Sequence, residues 1–206
     1  DGSLAPDRVF LADTTGDGKD DKIMFAGGSW YVSVSSGTGF WAPQVWRPGH
    51  GVGSNDQIVG DFNGDNLADA AVYFAVNGKW YVALSTGGGF GYPGEWSYEH
   101  GLGTTLRVAG DTTGDGKDDI VYYSQNIFKW WVGASSGGGF WSLNEWAYDG
   151  TAYTGASNVF VADVNGDRRD DKILFFANTG NWYVGTSSGG GFWSLQLWIV
   201  GHGAGS

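Results

Sequence analysis

The sequence predicts an all-β protein, a β-propeller of four four-stranded blades, and three observations carry this prediction. One pattern occurs four times along the 206 residues, and its acidic segments begin at positions separated by 48, 50 and 52 residues. Glycine (38 residues) and aromatic residues (17%) are abundant, which is typical of short strands joined by tight turns. No stretch shows the period of an amphipathic helix, and repeats of this length with four strands each are typical of propeller blades.

Three markers occur in every repeat: an acidic loop, a Gly-Phe pair, and two tryptophans on either side of that pair. The loops begin at Asp13, Asp61, Asp111 and Asp163; the pairs are Gly39-Phe40, Gly89-Phe90, Gly139-Phe140 and Gly191-Phe192; the tryptophans are Trp30, Trp80, Trp130 and Trp182, then Trp46, Trp96, Trp146 and Trp198. The repeats, about 7–54, 55–104, 105–156 and 157–206, cover essentially the whole chain. The sequence therefore predicts a single propeller domain over residues 1–206.

The strands of a repeat can be read from its hydrophobic pattern. The first is short and apolar, as in Val9-Phe10-Leu11-Ala12, and the acidic loop separates it from the second, Lys22 to Ala26. A turn with Gly or Asn leads to the third strand, in which Trp30, Val32 and Val34 share one face because side chains alternate along a strand. The fourth strand surrounds the second tryptophan. Such a blade cannot bury both faces alone, so we expect neighbouring blades to cover its aromatic residues.

The two chain ends fit the same inter-blade linker. Residues 201–206 nearly repeat the linker Gly49 to Ser54, and residues 1–7 correspond to the segment directly after Ser54. A closed four-blade ring would therefore bring the ends together without exchanging a strand. The alternative is half of a larger ring, completed by a second chain or cut from a longer protein, so that monomer and homodimer both stay open.

Composition excludes several classes of function. The formal charge of -11 argues against a basic patch for nucleic acid, and no apolar run approaches the length of a membrane span. Cysteine is absent, so that a secreted chain could not be stabilised by disulfide bonds. A bound metal is the obvious alternative means of stabilisation. Of the 22 acidic residues, 15 lie in the four acidic loops, which makes those loops the first candidate site.

Each acidic loop places oxygen-bearing side chains at positions 1, 3, 5 and 9, and position 7 would add its backbone carbonyl. Ca²⁺ prefers six to eight such hard oxygens, whereas the absence of His and Cys in the loops disfavours Zn²⁺. The predicted ligands are Asp13, Thr15, Asp17, Lys19 and Asp21; Asp61, Asn63, Asp65, Leu67 and Asp69; Asp111, Thr113, Asp115, Lys117 and Asp119; and Asp163, Asn165, Asp167, Arg169 and Asp171. We therefore expect up to four structural Ca²⁺ ions, one per repeat.

The loops are not EF-hands, because position 12 is Met24 in the first repeat rather than a bidentate Glu. Gly at position 4, as in Gly16, is expected to permit the sharp bend. Position 6 is Gly18 in the first loop but Arg168 in the fourth, so we expect strain in the fourth loop if this position needs a positive φ. Weak calcium loops fill only where calcium is near millimolar, which favours a secreted protein.

The combination Asp-x-Asn-Gly-Asp-x-x-x-Asp between strands, with a later Gly-Phe turn, resembles the FG-GAP/VCBS-type repeat over all four units. The best matches are Asp61 to Asp69 and Asp163 to Asp171, while Thr15 and Thr113 depart from the commonest pattern. The resemblance implies calcium-binding propeller blades like those of integrin α-chains and of some fungal lectins. Propellers of that family usually have more than four blades, which leaves the number of blades in the assembled ring open.

Aromatic and histidine residues in the loops indicate a binding surface. Sugars are held by aromatic stacking and a few polar groups in a partly preformed site. The candidate ligand-binding residues are Trp41, Tyr92, Trp141, Trp193, His50, His100 and His202. With the lectin resemblance, these predict a calcium-stabilised, secreted, lectin-like module for a glycan or glycoprotein.

Two other functions stay open. The first is a protein-binding or adhesion scaffold without sugar specificity, and the second is an accessory domain of a secreted enzyme. We do not expect the chain itself to be an enzyme, because the carboxylates outside the loops form no unique constellation and no nucleophile motif occurs. Those carboxylates include Glu95, Glu99, Glu145 and Asp149.

Overall fold

A computed structural model describes residues 5–97, 100 and 106–203. Glu99 and the two chain ends, which carry the prediction that the ends meet, lie outside the described residues. Within the described part the chain forms sixteen strands and one short 3-10 helix, Thr151–Tyr153. The strands are β1 Arg8–Ala12, β2 Asp21–Ala26, β3 Ser29–Ser33, β4 Gln44–Arg47, β5 Asp56–Gly60, β6 Asp69–Phe74, β7 Lys79–Ala83, β8 Gly94–Ser97, β9 Leu106–Gly110, β10 Asp119–Ser124, β11 Lys129–Gly133, β12 Asn144–Tyr148, β13 Asn158–Ala162, β14 Asp171–Phe176, β15 Asn181–Gly185 and β16 Gln196–Ile199.

The strands form four antiparallel sheets, each pairing four consecutive strands in chain order. The prediction of an all-β chain built from four four-stranded propeller blades is therefore confirmed. In every blade the pairing of the third and fourth strands shifts register directly after the first tryptophan, as between Trp30 and Tyr31. This repeated β-bulge shows that the four blades share one local geometry as well as one strand order.

Each blade has two unlike faces. We call the side that carries the first tryptophan of the third strand the front face, and the opposite side, which carries the next residue, the back face. The first tryptophans Trp30, Trp80 and Trp130 are fully buried, as predicted for core residues, while Trp182 is only partly buried. No helix among the described residues is long and apolar enough to cross a membrane.

The chain divides into two compact units, and the first comprises residues 1–102 with 136–139. In this unit the front face of blade 1 packs against the back face of blade 2. Its core contains Trp30 and Val32 from blade 1 and Val72, Ala83 and Phe90 from blade 2. The apolar alternation of the strands thus supplies both sides of one buried layer.

The second unit comprises residues 103–135 with 140–206, and it repeats this arrangement with blades 3 and 4. Trp130 and Val132 of blade 3 are buried together with Leu174, Phe176 and Phe192 of blade 4. In both units, therefore, the front face of one blade is covered by the back face of the next.

Aromatic contacts join the blades at equivalent places in both units. In the first unit the Phe90 ring lies edge-on to Trp46, with centroids 5.2 Å apart, and the Phe90 N–H donates to the Trp46 carbonyl at 3.3 Å. In the second unit Phe192 and Trp146 are 5.1 Å apart, and the N–H donates at 3.2 Å. The recurring Gly-Phe pair and second tryptophan are thus the two halves of one joint.

Hydrogen bonds complete the joint at the acidic loops. In the first unit the Ser85 hydroxyl donates to the Thr14 carbonyl at 2.7 Å, and the Ala68 N–H donates to the Asp13 carbonyl at 2.8 Å. In the second unit the corresponding distances are 2.6 Å from Ser187 to Thr112 and 2.7 Å from Asp170 to Asp111. Because buried donors need partners, these bonds fix how one blade sits on the next.

Candidate functional site

The first aspartate of each acidic loop is held by backbone amides of the same loop. The two oxygens of Asp13 accept from the N–H groups of Gly16 and Gly18, each at 2.7 Å. Asp163 accepts in the same way from Gly166 and Arg168. The Arg168 N–H and its neighbours lower the pKa of Asp163, because a carboxylate that accepts amide bonds is stabilised in its charged form.

The bends expected at positions 4 and 6 are present. The glycines at position 4 have φ between 79° and 82°. Position 6 has a positive φ in every loop, including 65° at Asn66 and 67° at Arg168. The expected need for a positive φ at Arg168 is therefore confirmed, and this conformation is costly for a residue with a Cβ.

The last aspartate of each loop is buried and braces the blade. Asp69 accepts from the Ser85 N–H at 2.7 Å and from the Phe62 N–H at 3.2 Å, so that it ties the acidic loop to the Gly-rich turn after the third strand. Burial raises the pKa of Asp69 to about 7 and that of Asp119 to about 6. These carboxyl groups are thus directed towards the protein's own amides.

Basic side chains lie beside the position-5 carboxylate in three of the four loops. The pairs are Lys19–Asp17 at 2.5 Å, Lys117–Asp115 at 2.8 Å and Arg169–Asp167 at 2.6 Å. The second loop has Leu67 in place of the basic residue, and Asp65 accepts from the Asn63 side-chain amide at 2.9 Å. In the described part of the chain, no group of three or more His, Cys, Asp or Glu side chains is arranged to hold a metal.

The chemical types of the loop oxygens therefore suit Ca²⁺, but the directions of two of the carboxylates do not converge on one ion. Carboxylate, amide and carbonyl oxygens are the donors that Ca²⁺ prefers. The position-9 carboxylate, however, faces the Gly-rich turn, and the position-1 carboxylate accepts from loop amides. The mutual repulsion of the carboxylates is thus offset by backbone donors and, in three loops, by a protein cation.

The aromatic residues predicted for ligand binding are strongly exposed beside the Gly-rich turns. The backbone N–H groups of Trp41, Trp141 and Trp193 each donate to a backbone carbonyl just after the third strand of their blade, as from Trp41 to Val34. The three tryptophans therefore occupy equivalent places. In blade 2 the residue making this bond is Gly91, so that Tyr92 lies one residue further along. Tyr92 is therefore placed differently from the three tryptophans.

Arg47, which contacts the Tyr92 ring, lines a pocket between blades 1 and 2, which we call the Arg47 pocket. The pocket has a volume of about 440 Å³, and its lining includes Arg47, His50, Asn77, Tyr81 and Pro93. The Arg47 guanidinium lies over the Tyr92 ring at 4.2 Å from its centroid, which is an attractive cation–π geometry. The linker after β4 supplies one wall, and the β6–β7 turn with the start of β8 supplies the other.

His50 is the predicted histidine that lines this pocket. It is buried, and its Nε2 lies 3.3 Å from the Ala70 carbonyl. Burial lowers the pKa of His50 to about 4, with the Arg47 charge acting in the same direction. His100 is also buried, whereas His202 is exposed and accepts from Trp182 Nε1 at its backbone carbonyl. The three histidines thus differ in surroundings although their sequence positions correspond.

Three polar pocket residues were missed by sequence reasoning: Arg47, Asn77 and Tyr81. Arg47 stands where the other repeats have Ser97, Ala147 and Ile199. Because Arg47 has no counterpart in the other repeats, a comparison of recurring residues does not select it. Its difference from the other three repeats was the sequence signal that could have identified it. Tyr81 donates from its hydroxyl to Glu95 at 3.2 Å, and Lys79 pairs with the same carboxylate at 2.7 Å.

The corresponding place in the second unit contains a buried ion pair. Asp149 follows β12 and pairs with Lys172 of blade 4, and both side chains are almost completely buried. The Trp130 indole also donates to Asp149, at 2.6 Å. Tyr153, from the 3-10 helix, lies 5.2 Å from the ring of Tyr183, the residue equivalent to Tyr81. The linker therefore fills the space that is open in the first unit.

Comparison with known proteins supports a propeller and points to lectins. The chain is similar to an Agrocybe aegerita lectin described by its specific recognition of non-reducing terminal N-acetylglucosamine, with 26% identity, a TM-score of 0.73, and coverage of 96% of this chain and 53% of the lectin. The chain therefore spans about half the length of that lectin.

Two toxin structures share the fold alone. The Tc holotoxin pore of Photorhabdus luminescens is 17% identical with a TM-score of 0.63, covering 95% of this chain and 10% of that one. A TcdB2–TccC3 structure is 14% identical with a TM-score of 0.51, covering 86% and 10%. No family model and no curated protein matches the chain, so that membership of the FG-GAP/VCBS family stays a prediction, whereas likeness to propeller-like proteins is shown.

Proposed function

We propose that this protein is a carbohydrate-binding propeller module without catalytic activity of its own. The observation that carries the proposal is its likeness, over nearly the whole chain, to a lectin that recognises terminal N-acetylglucosamine. We infer the same ligand class here: a non-reducing terminal sugar with an N-acetyl group.

The Arg47 pocket has the chemistry that such a ligand needs. Its volume of about 440 Å³ lies within the usual range for small-ligand sites. Arg47 and Asn77 offer hydrogen-bond donors, Asn77 and Tyr81 also offer acceptors, and Pro93 gives an apolar surface. The Tyr92 ring holds the guanidinium in place before a ligand arrives, which reduces the ordering cost of binding.

The test is binding of N-acetylglucosamine and its β1,4-linked dimer by calorimetry, with mannose as the unrelated sugar. We expect Arg47→Ala to weaken N-acetylglucosamine binding by at least about tenfold, since a hydrogen bond to a charged group contributes about 1.5–3 kcal/mol. Asn77→Ala should weaken it by about two- to tenfold, since a neutral hydrogen bond contributes about 0.5–1.5 kcal/mol. The matched control is Lys129→Ala, a basic residue on blade 3 outside the pocket, which should leave the affinity unchanged. Retained binding in Arg47→Ala would remove the pocket from the proposal.

The exposed tryptophans are tested in the same experiment. Loss of sugar binding in Trp41→Ala combined with Trp141→Ala, but not in Arg47→Ala, would place the sugar at the Gly-rich turns. A glycan array without any bound sugar would contradict the lectin proposal and favour the protein-binding scaffold.

We further propose that Ca²⁺ binds at the second loop, Asp61–Asp69, in preference to the other three. Support comes from charge: this loop contains no Lys or Arg, whereas the other loops place a basic side chain beside the position-5 carboxylate. A bound dication there would replace the missing protein cation. Such a weak, structural site suits a secreted protein, which we also propose.

The calcium proposal is tested by thermal unfolding with millimolar Ca²⁺ and with excess chelator. Saturation at ten times the dissociation constant stabilises a site by about 1.4 kcal/mol, so that chelation should lower the melting temperature by a few degrees. Leu67→Lys, which copies the first and third loops, should remove the Ca²⁺ effect and keep the fold. Identical melting curves with and without Ca²⁺ in the unaltered protein would contradict the proposal.

A further inference from the structure

The joint between consecutive blades has two unlike halves. The following blade contributes its back face, with a phenylalanine ring, a serine hydroxyl and a loop N–H, as at Phe90 and Ser85. The preceding blade contributes its front face, with a tryptophan and loop carbonyls that accept the hydrogen bonds, as at Trp46 and Thr14. Every repeat of this chain carries both halves.

Much of the back face of blade 1 is exposed, although Met24 on that face is buried. Phe40 is 48% exposed, whereas the equivalent Phe90 and Phe192 are 4% and 8% exposed inside their joints. Leu11 on the same face is also largely exposed, while its equivalents are partly buried. Ser35, which stands at the position of Ser85, is only half-buried.

Much of the front face of blade 4 is exposed in the same way, although Ile173 and Val184 on that face are buried. Trp198 is 47% exposed, although it corresponds to Trp46 and Trp146, which pack against phenylalanine. Val164 follows the first aspartate of its loop and is exposed, whereas the equivalent Thr14 and Thr112 are fully buried under the next blade.

We propose that the front face of blade 4 in one copy of the chain packs against the back face of blade 1 in a second copy, through the joint used within each unit. The exposed front face of blade 4 is complementary to a surface that carries a phenylalanine, a serine hydroxyl and a loop N–H at the spacing found in the joint. The repeat itself has this combination, so that a second copy of the chain is the expected partner. Since the two faces are unlike, the contact is head-to-tail.

The proposal does not depend on the identity of the sugar, and its test involves no ligand.

Lys22 is the weak point of the proposed contact. It occupies the position of Lys172, whose ammonium is neutralised by Asp149 inside the second joint. At the place of Asp149 blade 4 has Gly201, so that burial of Lys22 leaves a charge without a carboxylate, which is unfavourable. The first joint has Ala70 at this position. Lys22→Ala should therefore tighten the association.

The decisive experiment is the molar mass of the full chain by sedimentation velocity at micromolar to 100 micromolar concentration. We expect the unaltered protein to sediment as a multiple of 21.9 kDa and Phe40→Asp and Trp198→Asp to sediment as single chains with unchanged circular dichroism. The matched control is Trp41→Asp, because Trp193 at the equivalent place stays 65% exposed inside a formed joint. A single-chain mass for the unaltered protein, or a multimer that both joint variants leave intact, would overturn the proposal.

The direction of the contact is tested separately, since the chain has no cysteine. Phe40→Cys and Trp198→Cys are made in copies with different affinity tags and treated with a short bis-maleimide. Cross-links between the two tags in the mixture, and few in either variant alone, support the head-to-tail contact. Equal cross-linking of each variant with itself would contradict it.

Discussion

The two joints, blade 1 with blade 2 and blade 3 with blade 4, use the same structural contacts but differ beside them. Each has a Phe–Trp edge contact and three hydrogen bonds to backbone carbonyls at nearly equal distances. Beside the first lies the open Arg47 pocket. Beside the second, the corresponding space contains the buried Asp149–Lys172 pair and Tyr153.

The comparison separates what holds blades together from what is free to vary. The residues that recur in every repeat form the joint. Differences between repeats in the linker and at one core position therefore change the space beside the joint and leave the joint itself unchanged. In the first joint the positions of Asp149 and Lys172 are occupied by Gly49 and Ala70. A propeller repeat can thus be open for a ligand at one joint and filled at another.

The largest expected effect comes from breaking the buried pair of the second joint. Asp149→Ala leaves the Lys172 ammonium buried without a counter-charge and should cost about 3–5 kcal/mol of unfolding free energy in a denaturant titration. Asp149→Gly combined with Lys172→Ala, which copies the first joint, should recover most of that loss because no charge stays buried. A double variant as unstable as Asp149→Ala would show that the pair is not the cause.

A pH effect of intermediate size should distinguish the first joint. The pKa of His50 is about 4 in the folded state, below the ordinary value of 6.5, because the ring is buried. Its contribution to stability is therefore complete above about pH 6.5 and is lost as the pH falls towards 4. Between pH 7.5 and pH 5 this amounts to about 2 kcal/mol.

Urea titrations at the two pH values provide the measurement. His50→Gln should lose this part of the pH dependence, whereas the control His202→Gln, at an exposed histidine, should keep it. The second joint has Gly150 at the corresponding position, so that its unit should not share the effect. An unchanged pH profile in His50→Gln would contradict the assignment to His50.

The smallest expected effect concerns position 6 of the acidic loops. Arg168 has a φ of 67°, where Gly18 and Gly116 have 79° and 81°. Arg168→Gly should stabilise the protein by about 0.5–1 kcal/mol, since relief of the left-handed conformation exceeds the entropic cost of glycine. Gly116→Arg, in the same unit, should have the opposite sign. Thermal unfolding of both variants checks the prediction, and equal signs would refute it.

Much of the blade structure could be predicted from the sequence because the same packing requirements apply in each of the four repeats. The strand order, the buried Trp30, Trp80 and Trp130, and the bend at Gly16 all depend on residues that recur at fixed intervals. That the acidic loops surround a cation, which was predicted from their clustered oxygen side chains and fourfold recurrence, stays a prediction. In the structure their carboxylates accept backbone N–H groups, since loop amides within reach of an aspartate satisfy it locally.

By itself, the sequence determined the four repeats, their strands and the recurring aromatic residues that pack between blades, because these depend on local periodicity and on contacts that every repeat must make. Only the tertiary structure decided that Arg47, Asn77 and Tyr81 line one pocket, that Asp149 meets Lys172, and that His50 and His202 differ in burial. Those relations join residues on different strands or blades, and their effect depends on how much space the linker leaves once the blades have packed.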